Sequence, residues 1–340
     1  MEQVSKWFLE NRRSFPWRED VDPYKVVVSE IMLQQTRASF VVAYFNRWME
    51  RFPTLKELSK ASQDEVVKLW EGLGYYSRAR NLLKLAIEVE EKFHGIIPDD
   101  EKSLLSLKGI GDYTAGAILS FGFGKKAPAV DGNVMRVMAR YLAFEKDVKK
   151  HAKEIKGLLF HLLPDDQPSV CMEGLIELGA EICTKVPKCN LCPLRKGCKA
   201  FEKGMVQDLP ILPKRKEVLP LYRFVACIHF YDEFLVTKRK EGEIMQGLYE
   251  FPYLDIAPSF QVSKEISNIE ANLGLTLELD FPLKKQTHTF TRYKAFLSPF
   301  FLTAKVKKEI SGCEWIRKNE LLSYAFSSGH KKILEEILSN

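Results

Sequence analysis

The period of the apolar residues changes once along this chain, near residue 204, and that change constrains the fold more than any other feature. Up to Glu181 apolar residues recur at helical spacing, which predicts helices over 2–12, 25–34, 38–51, 64–70, 77–93, 112–122, 131–142, 149–161 and 168–181. Short Pro and Gly punctuation separates them, and no β-rich stretch intervenes. Gly204 to Pro220 then carries three prolines and three consecutive basic residues with little periodicity, the composition of a linker. Beyond it Tyr222–Tyr231, Phe234–Arg239, Gly247–Tyr253 and Tyr293–Ala304 read as strands, with helices over 261–273, 318–325 and 329–338. The expected organisation is an all-α domain over 1–204, a linker over 205–220 and an α/β domain over 221–340. A chain of 340 residues is long enough for each domain to bury a core of its own.

Met1 to Arg12 is an amphipathic start without a signal-peptide core, and no apolar run approaches the length of a membrane span. The expectation is a soluble, cytoplasmic protein, in which seven cysteines are not a disulfide framework. Cys183, Cys189, Cys192 and Cys198 fall within sixteen residues, while Cys171, Cys227 and Cys313 are scattered and read as buried apolar residues. Four thiolates so close can surround one metal centre, either zinc or a [4Fe-4S] cluster. Only Cys189 and Cys192 have the tight spacing of a zinc pair, and the looser outer intervals favour the larger cubane. The formal charge of +6 is modest, but Lys185, Lys188, Arg195, Lys196, Lys199, Lys203, Lys214, Arg215 and Lys216 crowd the middle of the chain, which suits a polyanionic partner.

Leu107 to Arg136 reads LKGIGDYTAGAILSFGFGKKAPAVDGNVMR. Gly109 and Gly111 supply the freedom for a tight turn between two helical patterns, and the free amides of the second helix favour a phosphate. Asp131 follows about twenty residues later, placed to cap the next helix. Glu30 lies within VVVSEIML; on the buried face of that helix its pKa rises, whereas on its edge it is an ordinary polar residue.

These segments carry a resemblance. Residues 104 to 137 resemble the helix-hairpin-helix and catalytic aspartate of the endonuclease III superfamily of DNA glycosylases. SEIMLQQT (Ser29 to Thr36) and GLGYYSRARNL (Gly72 to Leu82) are similar to its MutY-type adenine glycosylase branch. The resemblance implies a multi-domain protein with an all-α helix-hairpin-helix glycosylase core and an iron-sulfur cluster loop. It also implies one [4Fe-4S] cluster on Cys183, Cys189, Cys192 and Cys198, although the family's first interval holds six residues and Thr184 to Lys188 is five. Glu30 is implied as the acid that protonates adenine, and Asp131, with Asn133 beside it, as the support of the oxocarbenium ion. Tyr113 stands where bifunctional relatives have a lysine, and a phenol forms no Schiff base, so a monofunctional enzyme leaving an abasic site is expected. Met135 stands where many adenine glycosylases have another lysine, one not required for hydrolysis. Gln34, Gln35 and Tyr75 are implied to fill the gap left by the extruded base and to test the opposite one, and Arg18 to border the base pocket.

GLYEFP (Gly247 to Pro252) resembles the start of a Nudix box, implying a Nudix (MutT)-like α/β C-terminal domain. KEISNIEANLG (Lys264 to Gly274) lacks the magnesium-binding glutamates, so the implied role is reading 8-oxoguanine rather than hydrolysing pyrophosphate. Phe290, Thr291 and Arg292 occupy the family's Phe-Ser-His reader loop; Arg292 departs from the histidine and adds a permanent charge. The implied partner is double-stranded DNA with adenine opposite 8-oxoguanine or guanine, bound by a monomer at the bacterial nucleoid. The alternatives are an endonuclease III-like pyrimidine glycosylase with lyase activity, a non-catalytic iron-sulfur lesion sensor, and a zinc-ribbon adaptor.

Overall fold

The computed structural model describes residues 1–213 and 217–339. Lys214, Arg215 and Lys216, the basic run of the expected linker, lie outside the described residues. The chain forms two compact units, one of Met1–Ala61 with Asn81–Lys214, the other of Ser62–Arg80 with Arg215–Asn340. These bounds differ from a division at the linker. Ser62–Arg80 groups with the C-terminal part because its polar side chains bond there: Lys68 Nζ donates to Tyr324 O (3.0 Å), Lys238 Nζ to Asp64 (2.8 Å) and Arg80 Nη1 to Gln246 O (2.7 Å). The first half of the expected linker is in turn bound to the helical unit. Arg140 Nε donates to Leu209 O (3.0 Å) and Val148 N to Ile211 O (3.2 Å).

In the first unit the nine expected helical segments all contain helix, and short ones occur at Leu55–Ser59, Glu101–Ser106 and Lys199–Glu202. Thr54 and Glu57 close a reciprocal capping box on the first of these, and Asp100 caps the second. The segment expected as a helix over 112–122 is α-helical to Ala117 and widens to a π-helix over Ile118–Gly122. Val134, Val137 and Met138 of helix Gly132–Tyr141 share a core with Met172, Leu175 and Leu178 of helix Pro168–Glu181 and with Val4. The two helices meet closely at Gly179, where a Cβ would lie 2.6 Å from that of Asn133; only glycine permits the approach.

The second unit holds an eight-stranded mixed sheet: β1 Leu219–Phe230, β2 Glu233–Lys238, β3 Tyr249–Glu250, β4 Tyr253–Asp255, β5 Leu277–Pro282, β6 Gln286–Phe290, β7 Tyr293–Ala304 and β8 Cys313–Arg317. The order is β3-β2-β1-β7-β5, with β4 on β1, β6 on β7 and β8 on β2. β1 and β7 run parallel from Leu219↔Tyr293 to His229↔Thr303, and the other pairs are antiparallel. Phe224 to Ile228 are all buried because β1 is covered on both faces. Phe224, Ala226 and Ile228 share a core with Ile269 of helix Val262–Leu273; Val225 and Cys227 share the other with Ile333, Leu334 and Ile337 of helix Ser328–Ser339.

Three expectations need correction here. The strand Gly247–Tyr253 is broken into β3 and β4 at Pro252, which has no amide to donate. The helix 318–325 is only a 3-10 turn at Leu321–Ser323, because Ala325 to Ser327 is drawn into pairing with β3: Tyr249 N donates to Ala325 O and Ser327 N to Tyr249 O. Cys313 is half-buried rather than buried. Among the described residues no helix is long and apolar enough to cross a membrane.

Candidate active site

Glu30 sits on helix Pro23–Leu33, which starts at Asp22, whose carboxylate accepts from the amides of Tyr24 (2.7 Å) and Lys25 (3.0 Å), and at Pro23 in the first turn. Every residue from Val26 to Met32 is buried, so this stretch of the helix has no polar edge for Glu30 to occupy. Its carboxyl is 7% exposed and accepts a 2.5 Å hydrogen bond from Tyr113 Oη. Burial pushes its pKa up to about 7 against that hydrogen bond, with the charges of Asp131 and Glu173 adding to the rise and Arg18 opposing it. Burial also holds the Tyr113 phenol well above its ordinary range, so Tyr113 remains a donor.

The hairpin presents Tyr113 one residue into helix Asp112–Ala117. Gly109 has φ +85°, and a Cβ there would meet Asn81 Cβ at 2.8 Å, so this turn requires glycine twice over. Gly111 is the N-cap and offers no side chain, leaving the first amides of the helix unbonded by a cap. Asp131 is the N-cap of Gly132–Tyr141. One carboxylate oxygen accepts from Val134 N (2.7 Å) and the other from Asn133 Nδ2 (2.9 Å). Burial raises the Asp131 pKa, and these hydrogen bonds and Arg136 oppose the rise.

Glu30, Tyr113, Asp131 and Asn133 line a single cavity of about 1140 Å³. Gln34, Gln35, Arg18, Gly109 and Gly111 border the same space. Gln34 Nε2 donates to Thr114 Oγ1 (3.3 Å), while Gln35 is exposed in the left-handed region at φ +57°. Among the lining residues not singled out from sequence are Trp17, Arg13, Glu173 and Glu177. Arg18 donates to Glu173 (3.0 Å) and Glu177 (3.0 Å), and Arg13 Nε to Glu177 (2.5 Å). The signal was present in two carboxylates four residues apart on an otherwise apolar stretch of helix 168–181.

Cys183, Cys189, Cys192 and Cys198 line a second, small cavity together with Arg140. Among the described residues no three Cys, His, Asp or Glu side chains converge as ligands of one metal ion. Burial raises the Cys192 thiol to about 11, and the charges of the other three cysteines, which border the same cavity, add to the rise. Arg140, 3% exposed, donates to Cys183 Sγ (3.4 Å) and to Thr184 O (2.7 Å), which gathers the short Thr184–Lys188 interval. Arg136 ties this loop to the larger cavity by donating to Cys183 O (2.7 Å) and Asn133 Oδ1 (2.8 Å).

Tyr75, Phe290 and Thr291 belong to the second unit and do not line the 1140 Å³ cavity. Tyr75 is 50% exposed at φ +48°, with the Arg78 guanidinium 5.7 Å from its ring and bonded to the carbonyls of Leu73 and Gly74. Phe290 and Tyr293 close a two-residue hairpin turn whose first residue, Thr291, is also left-handed at φ +48°. Arg292 lies beside Tyr293, with Nη2 3.2 Å from its hydroxyl.

Two family profiles match the chain: "HhH-GPD superfamily base excision DNA repair protein" over residues 28–162 and "NUDIX domain" over residues 224–336. An adenine DNA glycosylase of Buchnera aphidicola subsp. Baizongia pistaciae is 36% identical over 73% of this chain and 72% of its own length. The adenine DNA glycosylase of Homo sapiens is 30% identical over 96% of this chain and 72% of its own. A thermostable thymine-DNA glycosylase of known structure is similar at a TM-score of 0.56 and 32% identity, over 59% of this chain and 94% of that one. With a helix-hairpin-helix core, a Nudix-like second unit and this degree of identity, the chain belongs to the adenine DNA glycosylase family.

Proposed function

We propose that this enzyme hydrolyses the N-glycosidic bond of adenine mispaired with 8-oxoguanine or guanine and leaves an abasic site. The observation that carries the reading is Glu30, a carboxyl buried at the cavity wall and titrating about pH 7. A group of that pKa holds a proton near neutrality and can deliver it to the leaving purine. Adenine reaches the cavity by extrusion from the duplex, at a cost of a few kcal/mol for unstacking. Asp131, fixed by Val134 N and Asn133, faces the sugar as positive charge develops and orients the attacking water. Tyr113 bonds Glu30 and offers no amine, so the sugar is not captured covalently.

The first amides of helix Asp112–Ala117, which Gly111 leaves without a side-chain cap, suit a DNA phosphate. Gln34, Gln35 and Tyr75 fill the vacated stack and contact the opposite base; Arg18 borders the adenine pocket. Phe290 and Thr291, at the exposed hairpin turn, read 8-oxoguanine by stacking and by hydroxyl hydrogen bonding. One copy serves one duplex site. The four cysteines fit a [4Fe-4S] cluster, since they border a common cavity closed by Arg140. Bound there, the cluster supplies a structural anchor for the basic 183–198 loop and no step of the hydrolysis.

The deciding experiment is single-turnover incubation with duplexes holding adenine opposite 8-oxoguanine, guanine or thymine, assayed for breaks before and after alkali. Breaks only after alkali, fastest opposite 8-oxoguanine, are expected; breaks before alkali or a borohydride-trapped adduct contradict the reading. Two further results follow from the geometry. The rate constant falls about tenfold per unit above pH 7, as Glu30 loses its proton, levels off below it, and falls again in acid once Asp131, whose carboxyl burial pushes up, takes up a proton. Cys192→Ser protein lacks the broad visible absorbance of an iron-sulfur cluster and binds duplex more weakly, which titration by fluorescence anisotropy measures.

A further inference from the structure

At the cavity wall, two guanidinium groups converge on one buried carboxylate. Glu177 has a 2% exposed side chain; Oε1 accepts from Arg13 Nε at 2.5 Å and Oε2 from Arg18 Nη2 at 3.0 Å. The same guanidiniums lie 5.2 Å from the centroid of the Phe15 ring, and Arg18 also bonds Glu173 (3.0 Å) and Arg13 O (2.9 Å). Two cations are thus gathered at one aromatic ring, an arrangement that repels itself unless a carboxylate stands between them.

The charged and titratable groups facing Glu30 come from four elements: Tyr113 on helix 112–117, Asp131 at the cap of 132–141, Glu173 on 168–181 and Arg18 at the 16–18 turn. Among these groups Arg18 is the cation, and it is the group that favours the ionised, proton-free form of Glu30. We propose that Glu177 is a positioning residue for the hydrolysis: it binds and neutralises Arg13 and Arg18 together, so that Glu30 keeps the proton that adenine needs. Burial pushes the Glu177 carboxyl up, but the hydrogen bonds and charges of Arg13 and Arg18 hold it below its ordinary range, as a working counter-ion requires. Without that charge Arg13 keeps Glu181 (2.9 Å) and Arg18 keeps Glu173 (3.0 Å), but the group carries one negative charge fewer, and Glu30 releases its proton at lower pH. The proposal rests on Glu30 being the acid.

The test is the alkaline midpoint of the single-turnover rate, which partial misfolding scales down but does not move. Glu177→Gln lowers the midpoint by about one pH unit, so that release at pH 8 is about a hundredfold slower than at its own acid plateau, against about tenfold for the parent. Arg13→Gln, which removes a half-exposed cation and leaves Glu177 to Arg18, moves the midpoint upward. The double variant returns toward the parent. Opposite shifts that cancel establish the charge balance; midpoints equal to the parent's in both single variants overturn it. If the parent itself has no alkaline limb near pH 7, the acid reading of Glu30 fails instead, and the two failures are told apart by the parent curve alone.

Discussion

Glu30→Gln slows single-turnover release of adenine by about 10²- to 10⁴-fold, while the folded protein loses the part of the pH dependence of its stability between pH 5 and 8 that Glu30 contributes. Both effects come from one carboxyl. The rate falls because an amide has no proton to give at the pH where the parent is half protonated. The stability effect has the opposite benefit. A carboxyl whose folded pKa is raised binds protons more tightly in the native state, so its penalty is absent below its ordinary value of 4.5 and grows until the pH passes about 7. A rise from 4.5 to about 7 amounts to roughly 3 kcal/mol, all of it felt above neutrality. From pH 5 to 8 the melting temperature of the Gln variant therefore changes more favourably than the parent's by several degrees, because each kcal/mol moves a domain of this size by about 2–4 °C, while His288 and His330, whose pKa values burial lowers, act on both proteins alike. Comparing each protein with itself removes the cost of burying the new amide. Equal pH dependence in the two proteins contradicts the assignment of the buried proton to Glu30.

Asp131→Asn and Asp131→Ala separate two functions of one side chain. The carboxylate caps helix 132–141 through Val134 N and, in the proposed mechanism, also carries the charge that faces the sugar. Asparagine caps as well as aspartate, so the Asn variant folds with nearly parental stability and loses catalysis alone, on the order of 10³-fold. Alanine loses the same catalysis and about 1 kcal/mol of stability in addition. Thermal melts and single-turnover rates on the same preparations check both statements. An Asn variant that turns over at the parental rate shows that the charge does not act on the sugar.

The parts of the site that were legible from sequence carry local patterns. Glu30 interrupts an apolar run, Asp131 precedes a helix, and Gly109 and Gly111 punctuate two helical stretches. Glu173 and Glu177 left a local trace in their four-residue spacing, but their role and that of Arg13 were not legible, because it lies in pairing across some 160 residues of sequence. The same limit applies to the fold. β6, QTHTF, carries one apolar residue among polar ones and forms because β7 offers its edge; β5 was legible, since Leu277, Leu279 and Phe281 alternate with Glu278 and Asp280, and was missed. The helix expected over 318–325 has adequate propensity, but the pairing of Ala325 to Ser327 with Tyr249 overrides it.

The membership of Ser62–Arg80 in the second unit bears on how such chains recombine. A crossover in the 205–220 segment would carry the strands of a donor into a recipient but leave behind Glu71, whose 8% exposed carboxylate accepts from Phe326 N (3.0 Å), Lys331 (2.9 Å) and Lys68 (2.8 Å). The chimera would bury a carboxylate among partners chosen for another sequence, a mismatch worth several kcal/mol when a paired charge loses its partner. A swap that inherits 62–80 together with 217–339 keeps these bonds intact. The heritable module of this protein is therefore discontinuous, an island in the N-terminal half joined to the C-terminal half by Glu71.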